Sequence, residues 1–194
     1  MGIPGLGLKS LDSARRIAVV GAVGAGKSSL ARTLAERAGL PYVELDALRY
    51  QAHWKKVAEQ TFFDDVVRNA GASEWVIDGN YELTRDIVWV RAQVLIWVDY
   101  PLPIVLLRLL KRTARRLMTG EIFSNGNRES LRRLLGPDSV VLWAIRWHGP
   151  RRRRFEQLLA TRRYGHLHVL RLRSPREADA CLTQIESTGE QTAP

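Results

Sequence analysis

The sequence predicts an α/β protein built on an open parallel sheet with helices on both faces. Short apolar runs rich in β-branched residues alternate with longer stretches in which apolar residues recur at helical spacing. This alternation is typical of strand–helix–strand units, which place parallel strands side by side and cover both faces of the sheet. Hydrophobic residues make up 45% of the chain, which is enough to build one buried core.

Five strands and the helices between them can be placed from apolar periodicity and from the glycines and prolines that end them. The predicted strands cover residues 16–20, 41–45, 75–78, 93–99 and 166–172. Helices are predicted over residues 27–38 and 57–70, from Pro103 to about Met118, in two or three segments up to Arg163, and over residues 177–187. Residues 121–127 read as a loop.

The chain of 194 residues is the size of one domain. We expect a flexible N-terminal tail at residues 1–14, a domain at residues 15–187 with a lid at about residues 112–135, and a disordered tail at residues 188–194. The single cysteine, Cys181, rules out an internal disulfide and favours plain packing on the last helix. No apolar run is long enough to span a membrane, so we expect a cytoplasmic protein without a membrane partner.

The positive charge of the chain is concentrated in its second half. Residues 1–99 carry 12 basic and 12 acidic side chains, whereas residues 100–194 carry 18 basic and 8 acidic ones, and the formal net charge is +10. An excess of cations of this kind indicates an anionic ligand. Polyphosphate ligands and nucleic acids both satisfy this description, so charge alone does not separate the two classes.

A phosphate-binding motif follows the first predicted strand. Gly21–Ser28 matches the pattern G-x-x-x-x-G-K-S, with a strand before it and a helix after it. Glycines let the backbone turn so that successive N–H groups face phosphate oxygens, and the start of the helix adds the positive end of its dipole. The motif predicts that Lys27 reaches the β and γ phosphates and that the Ser28 hydroxyl binds Mg²⁺. The alternative is a glycine-rich turn that binds nothing.

We therefore predict that ATP and Mg²⁺ bind to this segment, which we call the phosphate loop. The residues predicted to contact the nucleotide are Gly21, Ala22, Val23, Gly24, Ala25, Gly26, Lys27, Ser28 and Ser29.

Two aspartates are predicted to complete the site. Asp78 closes the apolar third strand, where a triphosphate site needs an acidic residue to hold Mg²⁺ or its water molecules, and a helix cap is the alternative. Ser28 and Asp78 are thus the predicted metal ligands. Asp46 ends the second strand, and the ends of parallel strands open on the same edge. It could orient or deprotonate an acceptor hydroxyl or bind Mg²⁺ through water, and a capping role before Ala47 is the alternative.

Four arginines follow the fourth strand on one long predicted helix. They are spaced so that most of them share a face, and we expect this face to point outward while Leu107, Leu110, Ala114 and Leu117 pack on the sheet. Phosphoryl transfer needs cations around the moving charge, and a flap at residues 121–128 could bring them there on closure. A solvated or ion-paired surface is the alternative for each of them. The candidate catalytic arginines are Arg108, Arg112, Arg115 and Arg116.

A second group of arginines comprises Arg151–Arg154 with Arg162 and Arg163. Four arginines in a row cover every side of a helix, so they cannot all enter one pocket. A solvated basic face and contact with nucleic acid are both consistent with this run, and no recognised nucleic-acid-binding module accompanies it.

Several of these segments resemble one family, the adenylate-kinase-like P-loop kinases, and within it the group often labelled DNA topology modulation protein. The resemblance covers roughly residues 15–185. It rests on Gly21–Ser28, Leu45-Asp46, Trp75–Tyr81 and Val98–Pro101, followed by Arg108 and Arg112.

The resemblance implies a three-layer P-loop NTPase fold, a five-stranded sheet in the order 2-3-1-4-5, a small arginine-rich helical lid after the fourth strand and phosphoryl transfer from ATP. In adenylate kinases the Asp-Gly pair is followed by Phe-Pro-Arg, whose arginine grips the acceptor phosphate. Here Asp78-Gly79 is followed by Asn80-Tyr81.

The sequence thus predicts a phosphotransferase that moves the γ-phosphate of Mg-ATP to a small-molecule acceptor, such as a nucleoside, a nucleotide or another hydroxyl compound. The alternative belongs to a different class: a nucleotide-dependent regulator that binds nucleic acid through its basic C-terminal half. Binding of nucleic acid that weakens steeply with salt would favour the regulator. A monomer and a homodimer are both compatible with the sequence.

Overall fold

The computed structural model shows a three-layer α/β fold and describes residues 11, 13–120, 122–123, 127–128 and 139–189. The strands within these ranges are β1 (Arg16–Gly21), β2 (Tyr42–Glu44), β3 (Trp75–Asp78), β4 (Val94–Val98), β5 (Ile122–Phe123), β6 (Asn127–Arg128) and β7 (His168–Leu172). The helices are α1 (Lys27–Ala38), α2 (Leu45–Arg49), α3 (Glu59–Ala70), α4 (Arg85–Arg91), α5 (Leu102–Thr119), α6 (Val140–Leu159) and α7 (Pro175–Gly189).

Five strands form one parallel sheet in the order β2-β3-β1-β4-β7. This confirms the predicted order, because β7 is the fifth strand of that sheet along the chain. β1 lies at the centre and pairs with β3 on one side and β4 on the other, so the end of β1 is flanked by the ends of both neighbours. The short strands β5 and β6 pair antiparallel with each other.

The sheet is buried on both faces, as parallel sheets require. One face packs against α1 and α7, with Val19 and Leu34 among its fully buried side chains. The other face packs against α3 and α4 and beneath α6, with Phe62 and Trp75 at its centre. Burial of this apolar area is the main stabilising contribution to the fold.

Several element boundaries differ from the sequence prediction. β3 was predicted residue for residue, whereas α2 and α4 were not predicted and Asp46 lies inside the first turn of α2 rather than at a strand end. Of the two or three helices predicted up to Arg163, the described residues contain α6 at residues 140–159, and residues 129–138 lie outside the described ranges. α6 continues through Pro150, and its start is capped by Ser139, whose Oγ accepts hydrogen bonds from the backbone N–H groups of Val141 and Leu142.

The buried face of α5 also differs from the prediction. Val105 and Leu109 are fully buried, whereas Leu107 and Leu110 are 54% and 47% exposed. Leucine and valine occupy almost every position in this part of the helix, so apolar periodicity does not select one face. The contact with the phosphate loop selects the buried face of α5, because a Cβ at Gly24 would lie only 3.0 Å from the Leu109 Cβ.

The predicted tails and lid lie largely outside the described residues. Within the predicted N-terminal tail, Leu11 and Ala14 are buried in the core, and α7 continues to Gly189. Cys181 is buried on α7, and its burial raises the pKa of the thiol to about 11. Of the lid, the structure describes residues 112–120 and the β5–β6 pair. None of the described helices is both long and apolar enough to cross a membrane.

Asp99 follows β4 and forms ion pairs that connect α6 and β7 to the end of that strand. Its side chain is 4% exposed, and its Oδ2 lies 2.7 Å from Nε and 2.6 Å from Nη2 of Arg171. Arg152 of α6 approaches the same oxygen at 3.2 Å. The Arg171 guanidinium also stacks on Trp97, 4.1 Å from the ring centroid, and its Nη2 donates to Glu156 on α6 at 2.7 Å. This network sets how α6 lies over the carboxyl edge of the sheet.

Removal of the Asp99 carboxylate should therefore destabilise the protein. We expect Asp99→Ala to lower the free energy of unfolding by about 1–3 kcal/mol, because two guanidinium groups lose a buried partner while Glu156 remains beside both. Urea denaturation followed by tryptophan fluorescence measures the effect. Asp179→Ala, on an exposed position of α7, is the control and should change stability by about 0.5 kcal/mol or less. Equal stability of the two variants would contradict this role of Asp99.

Candidate active site

The phosphate loop connects β1 to α1 at the carboxyl edge of the sheet. Gly21, Gly24 and Gly26 have φ angles of 152°, 79° and 93°, which side chains rarely tolerate. A Cβ at Gly21 would lie 2.3 Å from the Val98 carbonyl oxygen, so the loop passes directly against the end of β4. These positions require glycine for both conformation and space.

The start of α1 presents N–H groups that no side chain caps. Gly26 is the N-cap residue, and the first turn of this 12-residue helix contains no acidic residue. The first N–H groups of a helix lack partners within it and carry the positive end of the helix dipole. The loop and the helix start together form a surface suited to phosphate oxygens.

Lys27, Ser28 and Asp78 come together beside this surface. The Lys27 Nζ donates a hydrogen bond to the Ala22 carbonyl oxygen at 3.2 Å, which folds the side chain back across the loop. Asp78 is 3% exposed and interacts with the Ser28 hydroxyl, and the Tyr42 hydroxyl donates to its Oδ2 at 3.0 Å. Burial raises the pKa of Asp78, while the charge of Lys27 and the hydrogen bonds from Ser28 and Tyr42 act in the opposite direction.

Glu44 is a member of this cluster that sequence reasoning missed. It is the register partner of Asp78 across β2 and β3, and it lies 3.8 Å from Arg32. Burial and the neighbouring charges of Asp78 and Asp46 raise the pKa of Glu44, while Arg32 and Lys27 lower it. Its position near the end of the predicted second strand, two residues before Asp46, was the available signal. The cluster gathers three carboxylates near one lysine.

The oxygen ligands of this cluster suit Mg²⁺, which prefers carboxylates, hydroxyls and water. Among the described residues, no set of three or more His, Cys, Asp or Glu side chains is arranged to hold a metal ion alone. That finding is consistent with the usual binding of Mg²⁺ through one or two protein groups together with substrate phosphates. Ser28 and Asp78, which interact with each other, are the predicted pair, and their role as metal ligands stays a prediction.

Asn80 connects β3 to the phosphate loop. Its Oδ1 accepts a hydrogen bond from the Gly21 N–H at 3.1 Å, and its Nδ2 donates to the Gly21 carbonyl oxygen. Gly79 allows this approach, because a Cβ there would lie 2.7 Å from the Leu45 Cβ and its φ is 146°. The sequence showed Asn80 as part of the Trp75–Tyr81 segment and as a difference from adenylate kinases, but not its contact, because its partner lies 59 positions away along the chain.

Asp46 is exposed on α2 and accepts a hydrogen bond from the Tyr81 hydroxyl at 2.6 Å. Tyr81 in turn packs edge-on against Phe62, with 4.9 Å between the ring centroids. The capping alternative for Asp46 is not observed, because Glu44 is the N-cap residue of α2 and no side chain caps that helix. The structure therefore places Asp46 beyond β2, with its carboxylate oriented by Tyr81.

Arg108 is exposed, as predicted for the outward face, but its guanidinium lies beside the phosphate loop. A Cβ at Gly26 would lie 3.2 Å from its Nη2, and its guanidinium lies over Tyr100, 5.5 Å from the ring centroid. The reason is the orientation of α5, which packs Leu109 against the loop and brings the adjacent Arg108 close to it. Arg112 and Arg116 are half-buried on the same helix, and Arg115 is exposed.

Most of the second group of arginines turns back onto the protein. Arg152 pairs with Asp99, the Nη1 of Arg154 lies 2.7 Å from Glu82, and the Nη2 of Arg163 lies 2.7 Å from Asp86. Arg153 is exposed, and Arg151 lies over the Trp143 ring. Ion pairs of this kind reduce the positive surface that could contact nucleic acid.

Two adjoining cavities flank the start of the phosphate loop. The β3 cavity is lined by polar residues that follow β3 and by the apolar side chains of Leu45, Trp89 and Phe155. The β4 cavity is lined by Gly21, Ala22 and Val23, by residues that follow β4 and by Trp143. Arg151 and Phe155 of α6 line both cavities. The floor of both is the carboxyl edge of the sheet.

The two hydrogen bonds of Asn80 should hold the phosphate loop in place. We expect Asn80→Ala to speed amide hydrogen exchange of a peptide spanning Gly21, because the loop loses both side-chain bonds to that residue. The loss should be on the order of 1–3 kcal/mol in local opening free energy, or about 5- to 100-fold in exchange rate. Mass spectrometry measures it, with Asn69→Ala as the control because Asn69 bonds only within α3. Unchanged exchange in Asn80→Ala would show that the loop does not depend on Asn80.

No protein-family model and no curated protein sequence matches this chain. Solved structures do match it. The shikimate kinase from Acinetobacter baumannii in complex with shikimate has a TM-score of 0.55 and 15% sequence identity, over 96% of this chain and 99% of that chain. The shikimate kinase from Bacteroides thetaiotaomicron has a TM-score of 0.53 and 16% identity, over 92% and 99%. That from Aquifex aeolicus has a TM-score of 0.50 and 14% identity, over 91% and 96%.

At these levels of identity the likeness concerns the fold. These matches do not test the narrower resemblance to the group labelled DNA topology modulation protein, which stays a prediction. The sheet order, the phosphate loop and the helices on both faces agree with the matched structures, and the chain has the fold of the P-loop kinases.

Proposed function

We propose that the protein is an ATP-dependent phosphotransferase that acts on a small-molecule acceptor. The main support for the proposal is that Lys27, Ser28 and Asp78 lie together beside the uncapped start of α1. A loop whose only role was to reverse the direction of the chain would not require a lysine beside it or a buried carboxylate next to a hydroxyl. The cavity beside β3 is lined by Tyr81, the partner of Asp46, and at about 30 Å³ it would have to widen to admit a second substrate.

The phosphate loop would hold the nucleotide through its backbone N–H groups. Lys27 would neutralise the charge of the β and γ phosphates, and Ser28 and Asp78 would hold Mg²⁺. When bound, Mg²⁺ supplies positive charge that offsets the charge developing on the phosphate oxygens. Arg108, whose guanidinium already lies against Gly26, is the arginine best placed to stabilise the same charge.

Asp46 would act on the acceptor. Tyr81 holds one of its oxygens, which fixes the orientation of the carboxylate. In the proposed reaction the acceptor hydroxyl oxygen forms a bond to the γ-phosphorus, and the bond from that phosphorus to the bridging oxygen of ADP breaks. The hydroxyl proton passes to Asp46, which thus serves as general base. Arg112, Arg115 and Arg116 are further candidates for stabilising the transferred charge from the lid.

Substitution of Lys27 should abolish the activity without unfolding the protein. We expect Lys27→Ala to lower kcat/KM for acceptor-dependent ADP formation by at least about 100-fold, because a cation that faces the transferred charge is lost. The assay measures ADP formation from Mg-ATP with a panel of nucleosides, nucleotides and small hydroxyl compounds that includes shikimate. Thermal melting by circular dichroism verifies the fold. Lys111→Ala, exposed on α5, is the control, and full activity of Lys27→Ala would overturn the mechanism.

The activity should also fall on acidification. Burial raises the pKa of Asp78, so protonation removes its charge at a higher pH than for an ordinary aspartate. We therefore expect kcat/KM for Mg-ATP to be high at pH values above that raised pKa and to fall at pH values below it. Tyr42→Phe removes a hydrogen bond that favours the charged carboxylate, which should move the acidic limb to still higher pH.

The control for this pH profile is Tyr164→Phe. This change also removes a tyrosine hydroxyl that donates to an aspartate, Asp86, but at a place remote from Asp78. An acidic limb that is the same in wild type and Tyr42→Phe would show that Asp78 does not govern the pH dependence.

A further inference from the structure

A third cavity lies at the amino edge of the sheet, on the side opposite the phosphate loop. It has a volume of about 540 Å³, whereas the β3 and β4 cavities hold about 30 and 20 Å³. Its walls are formed by the start of β1, the ends of α3 and α4 with the residues that follow them, and His166 before β7. We call it the amino-edge cavity. Its size is in the range of pockets that hold small molecules.

The polar side chains that line the amino-edge cavity are rich in hydrogen-bond donors. They belong to Arg16, Arg91, Gln93 and His166, and none of the described residues lining the cavity is acidic. Arg16 and Arg91 form no ion pair with any residue in the described ranges. The cavity thus gathers two guanidinium groups whose charge no carboxylate on its walls offsets.

Hydrogen bonds to the backbone hold these donors in place. The Arg16 Nε donates to the Arg91 carbonyl oxygen at 2.7 Å, and the Arg91 Nη1 donates to the Val67 carbonyl oxygen at 3.4 Å. The Gln93 Oε1 accepts from the backbone N–H groups of Arg15 and Arg16 at 2.8 and 3.0 Å, which leaves the two donors of its amide nitrogen for another partner. A guanidinium has five N–H donors, so each arginine uses only one of them in these bonds.

The charge of these arginines outweighs that of the helix ends beside them. α3 and α4 both end at the cavity, and the carboxyl end of a helix carries about half a negative charge. The two helix ends together therefore offset about one of the two positive charges of Arg16 and Arg91. Capping of these ends accounts for one hydrogen bond of each arginine, but it leaves the other donors and about one positive charge at the cavity.

We propose that the amino-edge cavity binds a phosphate group, either free or carried by a small molecule, at a site separate from the phosphate loop. A phosphate monoester presents three strong acceptor oxygens and pairs with guanidinium groups through parallel, charge-assisted hydrogen bonds. Arg16, Arg91 and Gln93 supply the donors. Val90 and the neighbouring alanines give an apolar wall for the rest of a phosphorylated molecule. The inference uses no residue of the proposed active site.

Amide hydrogen exchange locates the binding site and requires no catalysis. The protein is exposed to about 10 mM of matched probes: glucose 6-phosphate and glucose, adenosine monophosphate and adenosine, and inorganic phosphate. We expect at least one phosphate-bearing probe to slow exchange in peptides covering residues 67–74 and 88–93, and the neutral partners to have no effect. Protection confined to residues 21–29, or no protection by any probe, would overturn the proposal.

A titration of each probe separates the two sources of the phosphate group. Inorganic phosphate that binds as tightly as the esters assigns a free phosphate, whereas tighter binding of an ester shows that the rest of the molecule contributes. Because protection is followed at residues 88–93, the dissociation constant belongs to this site alone. The site at the amino edge and the proposed kinase activity are therefore confirmed or rejected independently of each other.

Substitution of Arg91 tests the role of the arginines. We expect Arg91→Gln to raise the dissociation constant at this site by at least about 10-fold, because charge-assisted hydrogen bonds to the phosphate are lost. Arg91→Lys should recover part of the affinity, since it keeps the charge but not the planar donors. Arg68→Gln is the matched control, because Arg68 is exposed on α3 and pairs with Asp65 instead of lining the cavity. An equal loss of affinity in Arg68→Gln would indicate a general effect of charge and contradict the proposal.

Arg16→Gln provides a second variant at the opposite wall of the cavity, with the same expected loss of affinity. Thermal melting by circular dichroism verifies that each variant folds. Binding at residues 88–93 that survives unchanged in both Arg16→Gln and Arg91→Gln would overturn the assignment of the site.

Discussion

The close packing around Gly21 is the constraint on which the site depends. The end of β1 lies at the centre of the sheet, where a side chain at Gly21 would collide with the Val98 carbonyl oxygen. The Asn80 amide binds both the N–H and the carbonyl of the same residue. The phosphate loop is thus held by β4 on one side and by the end of β3 on the other. Asp78, two residues before Asn80, ends β3 at the same edge of the sheet.

The arginines of α6 have two kinds of role. Arg152 and Arg154 pair with carboxylates from other elements, and Arg171 joins Arg152 at the buried carboxylate of Asp99. Buried ion pairs contribute little net stability, because desolvation of the charges offsets their attraction, but removing one partner is costly. Their effect here is to give α6 a defined orientation over the sheet edge. Arg151 stacks on the ring of Trp143 and has no ion pair with any described residue.

In the cluster beside the phosphate loop, three carboxylates lie near one lysine. Glu44 and Asp78 are register partners, and burial raises the pKa of both. Lys27 acts on both carboxylates in the opposite direction. The Mg²⁺ proposed to bind here would offset part of this negative charge.

The sequence by itself determined the parallel sheet, the phosphate loop and the end of β3 at Asp78, because apolar periodicity and a glycine-lysine-serine motif are local signals. Local periodicity did not select the buried face of α5, since leucines occur on both of its faces. Only the tertiary structure decided that the Arg108 guanidinium lies beside Gly26, that Asn80 binds Gly21 and that Arg151 stacks on Trp143. Each of these depends on which distant elements meet at the edge of the sheet, and contacts between distant elements leave no regular spacing in the sequence.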